Sequence, residues 1–297
     1  MSYLGAIEAG GTKMICALGR EDGSVLESVS IPTTEPARCM PQILEFFQGR
    51  GIDALGVGCF GLLDLDRNSQ TYGCITTTPK LRWRNYPIMR CLQDALGVPV
   101  GIDTDVNAAA LAEATWGCSR GLGCSIYITV GTGIGVGIIV DGKPHHGMIH
   151  PECGHIPVNR RSDDPMVRGV CPYHGSCLEG LACGPAIESR WGRSPAELAD
   201  CEAVWALEAY YLGQALCSYI YTISPERIVL GGGVMNQQQL LPLIRAEVNR
   251  QLGGYIKGKG LNDLDSYIVS SSLGGRQGIM GCLRLAADAL EEVQHGS

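Results

Sequence analysis

The chain of 297 residues carries 30 acidic and 23 basic side chains, giving a net charge of −7 and a pI near 5.4. It has no basic run to track a phosphate backbone, which argues against nucleic acid as a partner. No window approaches the roughly 18 apolar residues of a membrane span, and the opening MSYLGAIEAGGTKM lacks the regions of a signal peptide, so a cytoplasmic protein without a membrane partner is expected.

Tyr3 to Ala9 reads as a strand running into the turn Gly10-Gly11-Thr12-Lys13, and Met14 to Leu18 and Val25 to Ile31 as two more antiparallel strands. Residues 41–48 suit a short helix, Ala54 to Phe60 a buried strand ending at Gly61, and residues 64–83 a loop. A helix over 86–96 stops at Gly97. The apolar run from Val98 to Ile102 then delivers Asp103, Thr104 and Asp105 at a strand's carboxyl end, where open α/β sheets bind ligands. An Ala-rich helix over 107–116 leads to a domain boundary near Gly117.

The second half repeats the opening about 120 residues on, with Cys124 to Val130, the turn Gly131-Thr132-Gly133, and Ile134 to Val140. A long helix over 201–221, a strand over 227–230, the turn Gly231-Gly232-Gly233, a helix over 240–250 and a strand over 266–270 follow. The terminal helix over 277–293 can pack back on the first domain, and the final HGS is expected to fray. The predicted class is α/β with two domains: residues 1–116 plus the terminal helix 278–297, and residues 117–277.

The two glycine hairpins suit the backbone cradling of a polyphosphate, although each alone also reads as a tight turn. Neither follows the P-loop pattern. Gly231-Gly232-Gly233 is a third place where backbone can approach a flat adenosine, or a plain strand-to-helix turn. Asp105 is the candidate general base for a sugar hydroxyl attacking a γ-phosphoryl group that is held by backbone donors and Mg²⁺. Asp103 competes for that role, and helix capping is the structural alternative for either.

The stretch from His150 to Pro185 concentrates metal ligands in a loop rich in turn-formers. Cys171, His174 and Cys177 share a C-x-x-H-x-x-C spacing and His155 lies upstream, a set that suits tetrahedral Zn²⁺ with no position left for a reactive water. Cys153 and Cys183 are nearby competitors, and ordinary reduced thiols remain the alternative reading. Fourteen cysteines without a signal peptide point to a reducing compartment, so no disulfides are expected. Glu152, His155 and Glu179 bracket the loop and suit vicinal sugar hydroxyls. One ring nitrogen of His155 could hold metal while the other meets substrate.

The motifs E-A-G-G-T-K, T-D-V-N-A-A-A-L-A-E, V-G-T-G-I-G-V-G, H-P-E-C-G-H-I, C-P-Y-H-G-S-C-L-E-G-L and I-V-L-G-G-G-V, spanning residues 8 to 234, together resemble the ROK family of bacterial sugar kinases and repressors. The zinc-containing fructokinase branch is the nearest match. The resemblance implies an actin- and hexokinase-like (ribonuclease H-like) fold of two α/β domains closing on ATP and sugar across a cleft, and commonly a homodimer. It implies phosphate hairpins at Gly10, Gly11, Thr12 and Lys13 and at Gly131, Thr132 and Gly133, with Gly231, Gly232, Gly233 and Val234 covering adenosine. It further implies Asp105 as base, Thr104, Glu152, His155 and Glu179 at the sugar, and zinc on His155, Cys171, His174 and Cys177. The expected reaction is ATP-dependent phosphorylation of fructose to fructose 6-phosphate. A repressor would carry a DNA-reading module ahead of the sugar domain, whereas here the first hairpin begins by residue 8. The chain departs from the family where Glu8 replaces a common Asp, Thr104 a common Asn, and His174 one thiolate.

Overall fold

A computed structural model describes residues 3–258 and 260–295, so the last two residues of the expected frayed end, and of the helix assigned to 278–297, lie outside the described residues. The chain divides into two compact units. The first comprises the described residues of Met1–Arg120, Lys143–Pro151 and Arg276–Ser297, the second those of Gly121–Gly142 and Glu152–Gly275.

In the first unit, β1 (Leu4–Ala9), β2 (Lys13–Gly19) and β3 (Val25–Pro32) form the expected antiparallel meander. β4 (Ala54–Cys59) and β5 (Val100–Thr104) extend the sheet parallel to β1, in the order β3-β2-β1-β4-β5. Helix α1 (Pro36–Phe47) starts well before the expected 41–48. Pro36 opens it, since its fixed φ suits a first turn whose N–H groups have no partner, while Pro41 falls inside the helix. Helix α2 (Ile88–Leu96) ends at Gly97, whose φ of 68° is the left-handed cap read from sequence.

Helix α3 (Asp105–Thr115) begins two residues before the expected start because Thr104 caps it, its Oγ1 accepting from the Asn107 N–H at 3.1 Å. β4 is buried along its whole length, as expected of a central strand with both faces covered. The terminal helix α9 (Gln277–His295) packs against this strand and against α3. A Cβ on Gly281 would overlap the Ala108 carbonyl, so α3 and α9 cross backbone to backbone. Gly281→Ala is expected to destabilise the protein by about 2–3 kcal/mol through overpacking. Urea unfolding at wild-type stability would contradict that crossing.

In the second unit, β6 (Cys124–Val130) and β7 (Ile134–Val140) form the second hairpin; the two-residue β8 (Lys143–Pro144), next in the chain, belongs to the first unit. β9 (Arg227–Gly231) pairs parallel with β6 and β10 (Ile268–Ser270) parallel with β9, giving the order β10-β9-β6-β7. The sequence recurrence is therefore topological. In each unit a glycine hairpin is extended by two strands parallel to its first strand.

Helices α4 (Leu178–Ala182) and α5 (Gly184–Trp191) occupy ground that showed no apolar periodicity in the sequence. Helix α6 (Glu202–Thr222) buries Trp205, Tyr211 and Leu212 in the core, and α7 (Leu240–Leu252) packs beside it. The last strand starts only at Ile268, because the Asp263 carboxylate accepts the Asp265 and Ser266 N–H groups and draws 264–267 into the short helix α8 (Leu264–Tyr267).

Residues 117–120 and 143–151, expected in the second domain, group with the first unit. For 143–151 the cause is polar: His146 and His150 bond side chains of the β5–α3 turn. Among the described residues no helix is long and apolar enough to cross a membrane.

Candidate functional site

The first unit gathers the predicted base and the first hairpin turn. Gly10 donates to the Lys13 carbonyl at 3.0 Å, and Thr33 ties down the turn through Oγ1 to the Gly10 carbonyl and its N–H to the Thr12 carbonyl. Gly11, Thr12 and Lys13 stand exposed at its tip. Below them, Glu8 on β1 is a residue whose role the sequence did not reveal. Burial, reinforced by the charge of Asp105, raises its carboxyl to about 7 against the pull of Lys13.

Asp105 opens α3, with its carboxylate on the Val106 N–H at 2.8 Å. Burial raises it to about 6, that N–H restraining the rise. Asp103 differs. Its Oδ1 accepts from the Thr104 N–H at 2.7 Å and from Asn107 Nδ2 at 2.8 Å, and its Oδ2 faces His146 Nε2 at 3.0 Å. Both oxygens are occupied. Thr104, expected at the sugar, is buried with its oxygen engaged in capping, which leaves only its proton to offer.

The second unit holds the other turns and the candidate metal ligands. Gly131 donates to the Gly133 carbonyl at 2.9 Å and accepts from the Gly184 N–H at 2.7 Å, which sets the second turn against the start of α5. Glu179 accepts from the Ile134 N–H at 3.0 Å, and a Cβ on Gly133 would lie 2.7 Å from Glu179 Oε2. The expected sugar ligand is thus packed directly on the expected phosphate turn.

Gly232 has φ 92°, a conformation open to glycine, and a Cβ there would overlap Val130. A Cβ on Gly131 would come within 4.0 Å of the Gly233 N–H, so the second and third glycine turns are neighbours, while Gly233 itself borders open space. Val234, expected at adenosine, is buried at 3% exposure, so its side chain belongs to the core and only its backbone is left for such a contact.

His155, Cys171, His174 and Cys177 bring four ligand atoms within 4.8 Å of one another. His155 Nδ1 lies 3.4 Å from Cys177 Sγ and 3.8 Å from Cys171 Sγ, and Cys171 Sγ lies 3.7 Å from His174 Nδ1. Tetrahedral Zn²⁺ with bonds of about 2.3 Å to sulfur and 2.0 Å to nitrogen requires S···N edges of roughly 3.5 Å, so the donor set fits. The loop is built for this. Cys171 and Gly175 exchange backbone hydrogen bonds, Gly175 has φ 64°, and Cys177 caps α4. Cys153 and Cys183 stay outside the cluster. His155 Nε2 lies 3.9 Å from Glu179 Oε1, while its Nδ1 faces the two thiols of the candidate metal cluster. Glu152 is exposed at the start of this segment, its carbonyl accepting the His155 N–H at 3.0 Å.

The profile of the ROK family matches residues 4–289. A fructokinase of Zymomonas mobilis is 44% identical, covering 96% of each chain, and one of Pediococcus pentosaceus is 41% identical, covering 97% of this chain and 99% of that one. Among solved structures, the ROK hexokinase of Thermus thermophilus matches with a TM-score of 0.79 at 27% identity, over 98% of this chain and 99% of that one. Matched almost end to end by the family profile and by fructokinases above 40% identity, the chain belongs to the ROK family.

Proposed function

We propose that the protein transfers the γ-phosphoryl group of ATP to the 6-hydroxyl of D-fructose, with Asp105 as general base. The substrate reading rests on fructokinases at 41–44% identity along nearly the whole chain. The observation that carries the choice of base is the contrast within one turn: both oxygens of Asp103 are engaged, by Thr104, Asn107 and His146, while among the described residues the Asp105 carboxylate is held by backbone N–H. The Asp105 carboxylate takes the proton from fructose O6 as the O6–phosphorus bond forms and the bond to the β-phosphate oxygen breaks, releasing ADP.

Gly10–Lys13 and Gly131–Gly133 present backbone donors and Lys13 to the phosphates, and Gly231–Gly233 lies along adenosine. Mg²⁺ supplies charge neutralisation on the phosphates. Glu152, His155 and Glu179 bond sugar hydroxyls. Zinc, if held by His155, Cys171, His174 and Cys177, would take no chemical part, since four protein ligands would fill a tetrahedral shell. A homodimer in the cytoplasm completes the reading.

A base whose carboxyl titrates near 6 must be ionised to act, so kcat/KM for fructose is expected to rise with pH through about 6 and level off above it. A flat profile between pH 5 and 8 would remove Asp105 from that role. A second reading, phosphorylation of another hexose, draws on the 25% identical glucokinase of Streptomyces griseus, solved with glucose and AMPPNP at a TM-score of 0.73. A sugar panel separates the two.

A further inference from the structure

Segment 143–151 leaves the second unit, packs with the first and returns, and two of its histidines are fastened to the turn that carries Asp105. Asn107 is fully buried, and its Nδ2 bridges Asp103 Oδ1 at 2.8 Å and His150 Nδ1 at 3.2 Å. His146 Nε2 sits 3.0 Å from Asp103 Oδ2 and 3.3 Å from Asn107 Nδ2.

The donor inventory fixes the roles. The Asp103 carboxylate only accepts, so His146 donates from Nε2; Asn107 Nδ2 only donates, so His150 accepts at Nδ1 and carries its proton on Nε2. The charges are consistent, since the Asp103 bond raises His146 above its ordinary value, while burial lowers His150 to about 4 and keeps it neutral. The base assignment turns on Asp103 being occupied by Asn107 and His146, but it gives none of these four side chains a part in the proton transfer.

We propose that His146 and His150 are positioning residues: acting through Asp103 and Asn107, they lock the Thr104–Asp105 turn in the orientation that points the base at its substrate. Asp103 Oδ1 receives the Thr104 N–H and the Asn107 amide together, so the carboxylate's angle sets the first turn of α3. The two histidines hold the far side of that carboxylate and of that amide. Misplacing a catalytic group by about 1 Å costs on the order of 100-fold in rate, so partial loosening of this clasp should lower kcat by about tenfold.

The inference rests on the reading of Asp105 as base, and its test exploits the two ring positions. A Gln amide nitrogen reaches the place of Nε2, whereas an Asn amide oxygen reaches the place of Nδ1. His146→Gln and His150→Asn are therefore expected to keep kcat for fructose within about threefold of wild type. His146→Asn and His150→Gln should each lose about tenfold in kcat, with the KM for ATP and the melting temperature unchanged. A purely structural role would instead move all four variants with their melting temperatures.

Equal kcat in all four, losses that track melting, or the reverse pattern of rescue would each overturn the proposal. Wild-type protein that phosphorylates no sugar would instead overturn the kinase reading on which it stands. An Asp105→Asn variant with wild-type kcat would remove the base whose position the clasp is said to fix.

Discussion

Asp105→Asn is expected to lose about three orders of magnitude in kcat while fructose and ATP still bind. The size follows from the 10²- to 10⁴-fold that a positioned general base contributes. Loss of stability cannot mimic the result, because the sign runs the other way. The folded-state pKa of Asp105 lies near 6, above its ordinary 3.8, so the native state binds more protons than the unfolded chain between those values. Stability thus falls as pH rises through that window, and at neutral pH the ionised carboxylate costs on the order of 2–3 kcal/mol. The amide removes this cost. The variant should therefore melt at or above the wild-type temperature at pH 7.5 while being nearly inactive. A variant that is both inactive and clearly less stable would mean that the carboxylate holds the turn together instead of taking a proton.

Removing the metal should produce the second large effect. Zinc at 100 times its Kd stabilises the state that binds it by about 2.7 kcal/mol, which corresponds to roughly 5–10 °C in Tm for a unit of this size. Chelation, or Cys171→Ser, which replaces one of the two thiolates, is expected to lower the melting temperature by about that amount. It should also raise the KM for fructose more than that for ATP, because His155 and Glu179 lie 3.9 Å apart beside the cluster. Metal analysis must confirm that zinc has left. Unchanged melting in zinc-free protein would show that the loop stands without it.

The sequence carried the chemistry that is local in the chain and missed what depends on distant segments meeting. The glycine turns and the C-x-x-H-x-x-C loop are written within a few residues each and appear where expected, whereas the helix cap is Thr104 and neither of the two aspartates considered for it. The recurring glycine hairpin was also legible, although the shared order of the two sheets became visible only in the structure.

Glu8 was noted only as a departure from a family pattern. Its coupling to Asp105 arises because β1 and β4 pair in parallel and α3 packs against β4, which no local signal announces. The clasp of His146 and His150 joins residues 39 to 43 positions apart. Helices α4 and α5 were hidden by the Cys, Gly and Pro content of the metal loop, which obscures apolar periodicity.

Fructose phosphorylation itself is tested most directly by ADP release with Mg²⁺-ATP over fructose, glucose, mannose and N-acetylmannosamine, with zinc counted on the same preparation. Turnover dominated by fructose, with one zinc per chain, is the predicted result. Turnover dominated by another hexose would contradict the substrate, and none on any sugar in zinc-loaded protein would contradict the kinase.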